Sequence, residues 1–92
     1  MPPPPREDPI PPLKQQLARE IVALTDGWSQ WNAASLLELD QPRMSNLRRA
    51  KLDCFSLDRL VRLLWRLDRR LEVTLVDTGR RRELLRRQRD AR

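Results

Sequence analysis

Between Gln41 and Lys51 the chain carries Arg43, Arg48, Arg49 and Lys51 and no acidic residue. Gln41, Ser45 and Asn46 stand among these cations and add amide and hydroxyl groups. Such a set can recognise a polyanion and read its edges; it has nothing with which to make or break bonds. A glutamine amide matches adenine N6/N7 and a guanidinium matches guanine O6/N7, each bidentate pair discriminating by roughly 1–3 kcal/mol. Cations that reach only phosphates hold the partner without reading it. With Asp40 capping a helix, Gln41, Arg43, Ser45, Asn46 and Arg49 can share its outward side, while Met44 and Leu47 turn inward. Arg43, Asn46 and Gln41 are the candidates for base readout. Ser45 and Arg49 are candidates for positioning, and Pro42 and Lys51 complete the surface. A solvated basic face is the plain alternative, and the residues upstream argue against it.

Those residues form a second short helix set at a sharp angle to the first. Ser29 is a good N-cap for a helix reaching about Leu37, with Ala33, Ala34, Leu36 and Leu37 on its inner side. Only Glu38 to Asp40 separates it from the next helix, which forces a sharp crossing, and Pro42 falls in the first turn, where its missing N–H costs little. This is the layout of a helix-turn-helix. Gln30, at the start of the earlier helix, can reach a phosphate. Upstream, Leu13, Leu17, Ile21 and Leu24 recur at helical spacing; Pro11 and Pro12 open that helix, and Thr25, Asp26 and Gly27 end it. Downstream, a helix begins after Ser56, with Leu57, Leu60, Val61, Leu64 and Leu67 as its inner stripe and Asp58, Arg59, Arg62 and Arg66 outside.

The period then changes. Residues 71–76 read LEVTLV, with Leu71, Val73 and Leu75 on one face. No second strand is evident, and a lone strand leaves its backbone groups unmatched. Pairing with the same strand of a second copy, across a two-fold axis, is the economical solution; Trp65 would cover that ribbon. A fifth helix or an irregular packed tail is the alternative. Trp28 is expected to staple the first helix to the second within the core, and Trp31 to be partly exposed, where its ring could stack on a base. The expected fold is all-α, with four helices and one C-terminal strand paired in a homodimer.

Composition bounds the rest. Ninety-two residues allow one small domain. Seven of the eight prolines lie in the first twelve residues, which read as an extended leader. Residues 13–76 form the expected domain and residues 77–92 a flexible arginine-rich tail. From residue 79 onward, seven arginines against Glu83 and Asp90 give +5 of the net +6, so the remainder is nearly neutral. Such a tail attracts any polyanion through counterion release. With no histidine or tyrosine, no glycine-rich phosphate loop, and a lone Cys54 lacking a base, the chain does not read as an enzyme. No metal site or cofactor is expected. Cys54 reads as a small, half-buried loop residue in a reducing compartment. No apolar run approaches the roughly 20 residues of a membrane span, and the proline-rich start does not read as a signal peptide. A cytoplasmic, nucleoid-associated protein is expected.

The pieces LKQQLAREI, SQ-x-x-AA-x-LL, LDQPRMSNLRRAK, FSLDRLVRLL and LEVTLV, in this order from Leu13 to Val76, resemble the Cro/C1-type (XRE) helix-turn-helix regulators, particularly the HigA-type antitoxin branch. The most specific piece is DQP-x-x-S-x-L, which opens the third helix. The resemblance implies a homodimer on palindromic double-stranded operator DNA. It places base or phosphate contacts on Gln30, Gln41, Pro42, Arg43, Ser45, Asn46 and Arg49, and implies a dimerising C-terminal strand. For the branch it further implies a toxin partner, a ribosome-dependent ribonuclease that the antitoxin neutralises, and repression of the shared promoter. Glu38, Ala50 and Cys54 stand where glycine is common, and Trp31 where a small residue is usual. A non-glycine residue in the left-handed conformation at position 38 would carry about 1 kcal/mol of strain. Three rivals share the basic features. They are a stand-alone phage or chromosomal repressor, an RNA-binding adaptor using the tail, and a pure interaction module.

Overall fold

A computed structural model of the chain describes residues 7–77 and Gly79. Among the described residues four helices follow one another, α1 (Ile10–Leu24), α2 (Gln30–Leu37), α3 (Gln41–Arg48) and α4 (Leu57–Arg66). Helix α1 packs chiefly on α4, and α2 on α3. The core between them gathers Leu17, Ala18 and Ile21 of α1, Ala33, Ala34 and Leu37 of α2, Met44 and Leu47 of α3, and Leu60, Leu63 and Leu64 of α4. Leu39, Leu52 and Phe55 fill it from the connections. The alanines in α2 let α3 approach closely. Thr25 is fully buried at the end of α1, and its hydroxyl donates to the Ile21 carbonyl at 3.0 Å, so that its burial leaves no polar atom unmatched.

Helix starts follow local chemistry. The Ser29 hydroxyl accepts from Asn32 N at 3.0 Å, Asp40 Oδ1 from Arg43 N at 2.8 Å, and the Ser56 hydroxyl from Arg59 N at 3.3 Å. Each satisfies an N–H that the first helical turn leaves free. Helix α1 begins at Ile10, one residue before the prolines expected to open it. Pro11 and Pro12 lie inside its first turn, where their fixed φ is already helical, and Asp8 Oδ1 accepts from Ile10 N at 3.0 Å. The expected leader is therefore helical from residue 10; residues 1–6 lie outside the described residues.

Helix ends share one device. After α2, α3 and α4 come Glu38 (φ 54), Ala50 (φ 60) and Asp68 (φ 59), all left-handed. In each case the next residue donates its N–H five residues back: Leu39 to Ala34 O at 2.9 Å, Lys51 to Asn46 O at 2.8 Å, and Arg69 to Leu64 O at 2.9 Å. These are Schellman caps, which glycine usually occupies. The two glycine departures at positions 38 and 50 thus fall where the backbone is left-handed, whereas Cys54 does not. Glu38 also accepts from Arg66 Nη2 at 2.9 Å, which ties the turn between α2 and α3 to α4.

Several expectations are corrected. Residues 71–77 form neither strand nor helix, and no strand occurs among the described residues. A ladder needs a partner edge, and four helices offer none. Nor does the segment pack as an irregular tail, since Leu71, Val73 and Leu75 are exposed, Leu75 at 93%. Trp65 is 72% exposed and covers nothing in the single chain. Trp28 is 43% exposed rather than a core residue, and Leu36 lies on the outer side of α2. Cys54 is exposed rather than half-buried. Leu63 joins the buried stripe of α4, while Leu57, Val61 and Leu67 are only partly buried against it.

Candidate nucleic-acid interface

Helix α3 is anchored from beneath. Met44 and Leu47 are essentially inaccessible, so the rest of this short helix can only face outward. Pro42, Arg43, Arg49 and Lys51 are exposed, and Gln41, Ser45 and Asn46 are half-buried along the same face. Apart from Arg48, whose guanidinium is drawn elsewhere, the residues singled out between positions 41 and 51 are thus left at least partly accessible around the buried Met44 and Leu47. Arg43 is held near the helix start, with its Nε 3.9 Å from Asp40 Oδ2. Both side chains remain largely exposed, so this pair orients the guanidinium more than it stabilises the fold.

Gln30 and Gln41 form a unit. Gln30 Nε2 donates to Gln41 Oε1 at 3.0 Å and reaches the Gln41 carbonyl at 3.5 Å. An amide oxygen has two acceptor sites, so Gln41 Oε1 keeps one free and its Nε2 keeps both donors. Gln30 thereby fixes which way Gln41 presents its amide. Sequence reasoning treated the two as separate contacts, because nothing in a spacing of eleven residues marks the bond.

Three further residues shape this surface or border it. Arg48 Nη2 donates to the Trp28 carbonyl at 3.2 Å, tying α3 to the segment before α2 and drawing Arg48 away from the outward face. Gln15 Nε2 donates to the Ala50 carbonyl at 3.4 Å, which steadies the turn that carries Lys51. Trp31 is 72% exposed at the start of α2 and lines a concavity of about 320 Å3 with Ala34, Ser35, Leu39, Asp40 and Gln41. Away from this surface, the Ser56 hydroxyl holds the Asp58 carboxyl below its usual range, with Arg62 adding to the effect. No group of three or more His, Cys, Asp or Glu side chains is placed to share a metal ion among the described residues. No described helix is long and apolar enough to cross a membrane.

A helix-turn-helix domain family matches residues 5–75, which takes in all four helices and the segment after α4. The chain belongs to the helix-turn-helix domain family. A solved structure named "Putative XRE Family Transcriptional Regulator" is similar over 76% of this chain and 81% of its own, at 38% identity and a TM-score of 0.69. No curated protein matches the chain. Family and architecture make this a DNA-binding transcriptional regulator of the XRE type. In such a domain the α2–α3 unit is the helix-turn-helix and α3 is the helix offered to the major groove.

Proposed function

We propose that the chain is a sequence-specific repressor that binds an inverted-repeat operator as a homodimer. The observation that carries this reading is the outward face of α3, where amides and guanidinium groups are presented over a fully buried Met44 and Leu47. Arg43, Asn46 and Gln41 read base edges; Gln30, Ser45 and Arg49 set the register on the backbone, with Pro42 and Lys51 alongside. The Gln30–Gln41 bond supports a pre-set Gln41 amide, which lowers the ordering cost of binding. Leu71, Val73 and Leu75, together with the exposed Trp65, pair with the same segment of a second copy. Their exposure in the single chain supports an interface there, because apolar side chains at adjacent positions rarely stay wet. Expected domain limits of residues 13–76, extended by the helical start at Ile10, suit this role.

Selection of duplexes from a random pool at about 150 mM salt, where phosphate contacts weaken steeply, tests the reading. Enrichment of an inverted repeat with half-sites about one helical turn apart supports it. A pool that stays random defeats it. We further propose, on the resemblance of LDQPRMSNLRRAK and its neighbours to the HigA-type branch, that the chain is an antitoxin. It neutralises a toxin ribonuclease encoded beside it and represses the shared promoter. Co-expression with the neighbouring gene product should relieve that product's toxicity. Undiminished growth arrest removes the antitoxin role and leaves a stand-alone repressor using the same residues.

A further inference from the structure

Trp31 is the exposed aromatic side chain that the reading above leaves without a task. It follows Gln30 directly, and its indole borders the concavity floored by Asp40 and Gln41, the first residues of α3. Gln41 is therefore flanked by the Gln30 amide, which bonds to it, and by the Trp31 ring, which shares its concavity. An exposed tryptophan is a large apolar plate left in water, and side chains of this type commonly anchor partner contacts. Its Nε1–H is a donor that makes no hydrogen bond among the described residues. A plate with a single donor suits a deoxyribose face and the phosphate oxygen next to it. Asp40 at the edge of the concavity holds the exposed Arg43 beside it, so a polyanion lies over this surface more readily than an apolar protein face. The acid at the rim, Asp40, is already engaged by the Arg43 N–H at 2.8 Å.

We propose that Trp31 is a DNA-backbone contact. Its indole lies along one sugar–phosphate strand beside the base pair that Gln41 addresses, and Nε1–H donates to a phosphate oxygen. This inference rests on the operator-binding reading. The contact reads no base and releases no counterion. It should therefore add affinity equally on every duplex and without salt dependence, unlike a lysine or arginine on a phosphate.

The test uses the full chain and a duplex recovered from the random pool. Trp31→Ala and Trp31→Phe are titrated against that duplex and against unselected DNA over a salt series. The expected result is a loss of roughly tenfold for Trp31→Ala, the scale of a lost aromatic anchor. The loss should be the same on both duplexes, with the slope of log K against log salt unchanged, and smaller for Trp31→Phe. Wild-type affinity in Trp31→Ala overturns the proposal, as does a loss confined to the selected duplex. Hydroxyl-radical footprinting of the selected duplex reads the sugar directly. Wild type should protect a backbone position in each half-site that Trp31→Ala leaves open, and identical footprints overturn the assignment. A pool that never enriches defeats the operator reading as well, so the two failures are distinct.

Discussion

The α2–α3 unit and the segment after α4 handle the same problem in opposite ways. In the first, polar groups find partners within the chain: Ser29 and Asp40 take helix N–H groups, Gln30 takes Gln41, and Arg48 takes the Trp28 carbonyl. What remains outward is a fixed set of donors and acceptors over a dry floor. In the second, Val73, Leu75 and Val76 stand in water and no backbone ladder exists. One region is finished over its buried floor; the other leaves its apolar side chains uncovered by the described residues. A rigid reading surface and an unfilled apolar segment are complementary needs in a dimeric regulator, because half-site spacing depends on how two finished units are joined.

That contrast can be tested first at its floor. Leu47→Ala removes a fully buried side chain beneath α3, and a loss of about 2–5 kcal/mol in urea unfolding is expected. A loss below about 1 kcal/mol, as for ordinary surface changes, would mean that α3 is not held from beneath. Next comes the reading face. Asn46→Ala should narrow the gap between selected and random duplexes by roughly 1–3 kcal/mol. Arg49→Ala should weaken both alike and lower the salt slope by about 1. Equal loss on both duplexes for Asn46→Ala would sink the division between reading and positioning. Asp40→Ala removes a cap that accepts at 2.8 Å, and about 1 kcal/mol of stability should go with it in thermal melting. The smallest effect on the fold belongs to the other region. Leu75→Ser should leave monomer unfolding within about 0.5 kcal/mol of wild type while shifting sedimentation from dimer towards monomer. A dimer of undiminished mass would place the interface elsewhere.

Legibility in the sequence follows the same divide. Ser29, Asp40 and Ser56 announce their helices correctly because an N-cap is settled within three residues. Most of the inner residues of α1, α3 and α4 were readable because anchors there recur over enough turns, or because polar neighbours leave few choices. In α2 the reading slips at Leu36. Eight residues give barely two turns, and the neighbouring Leu37 competes for the same inner side. Pro11 and Pro12 open α1 as expected, since the first turn tolerates both, but Ile10 before them is already helical. The Gln30–Gln41 bond needs the crossing angle of two helices, which spacing alone does not supply. The strand expected at residues 71–76 is not formed, because alternation of apolar residues signals a strand only where a partner edge exists, and the described helices supply none.

The left-handed ends at Glu38, Ala50 and Asp68 bear on how long a molecule lasts. A side chain in that conformation costs roughly 1–2 kcal/mol compared with what glycine would bear there. A domain of this size has only a narrow margin over its unfolded state. Three such ends keep the free protein closer to opening, and opened chains are what proteases cut. DNA at about 100 times Kd restores about 2.7 kcal/mol, so bound molecules are sheltered while unbound ones turn over. On the operator-binding reading, limited proteolysis of the free protein should outpace that of the DNA-bound protein.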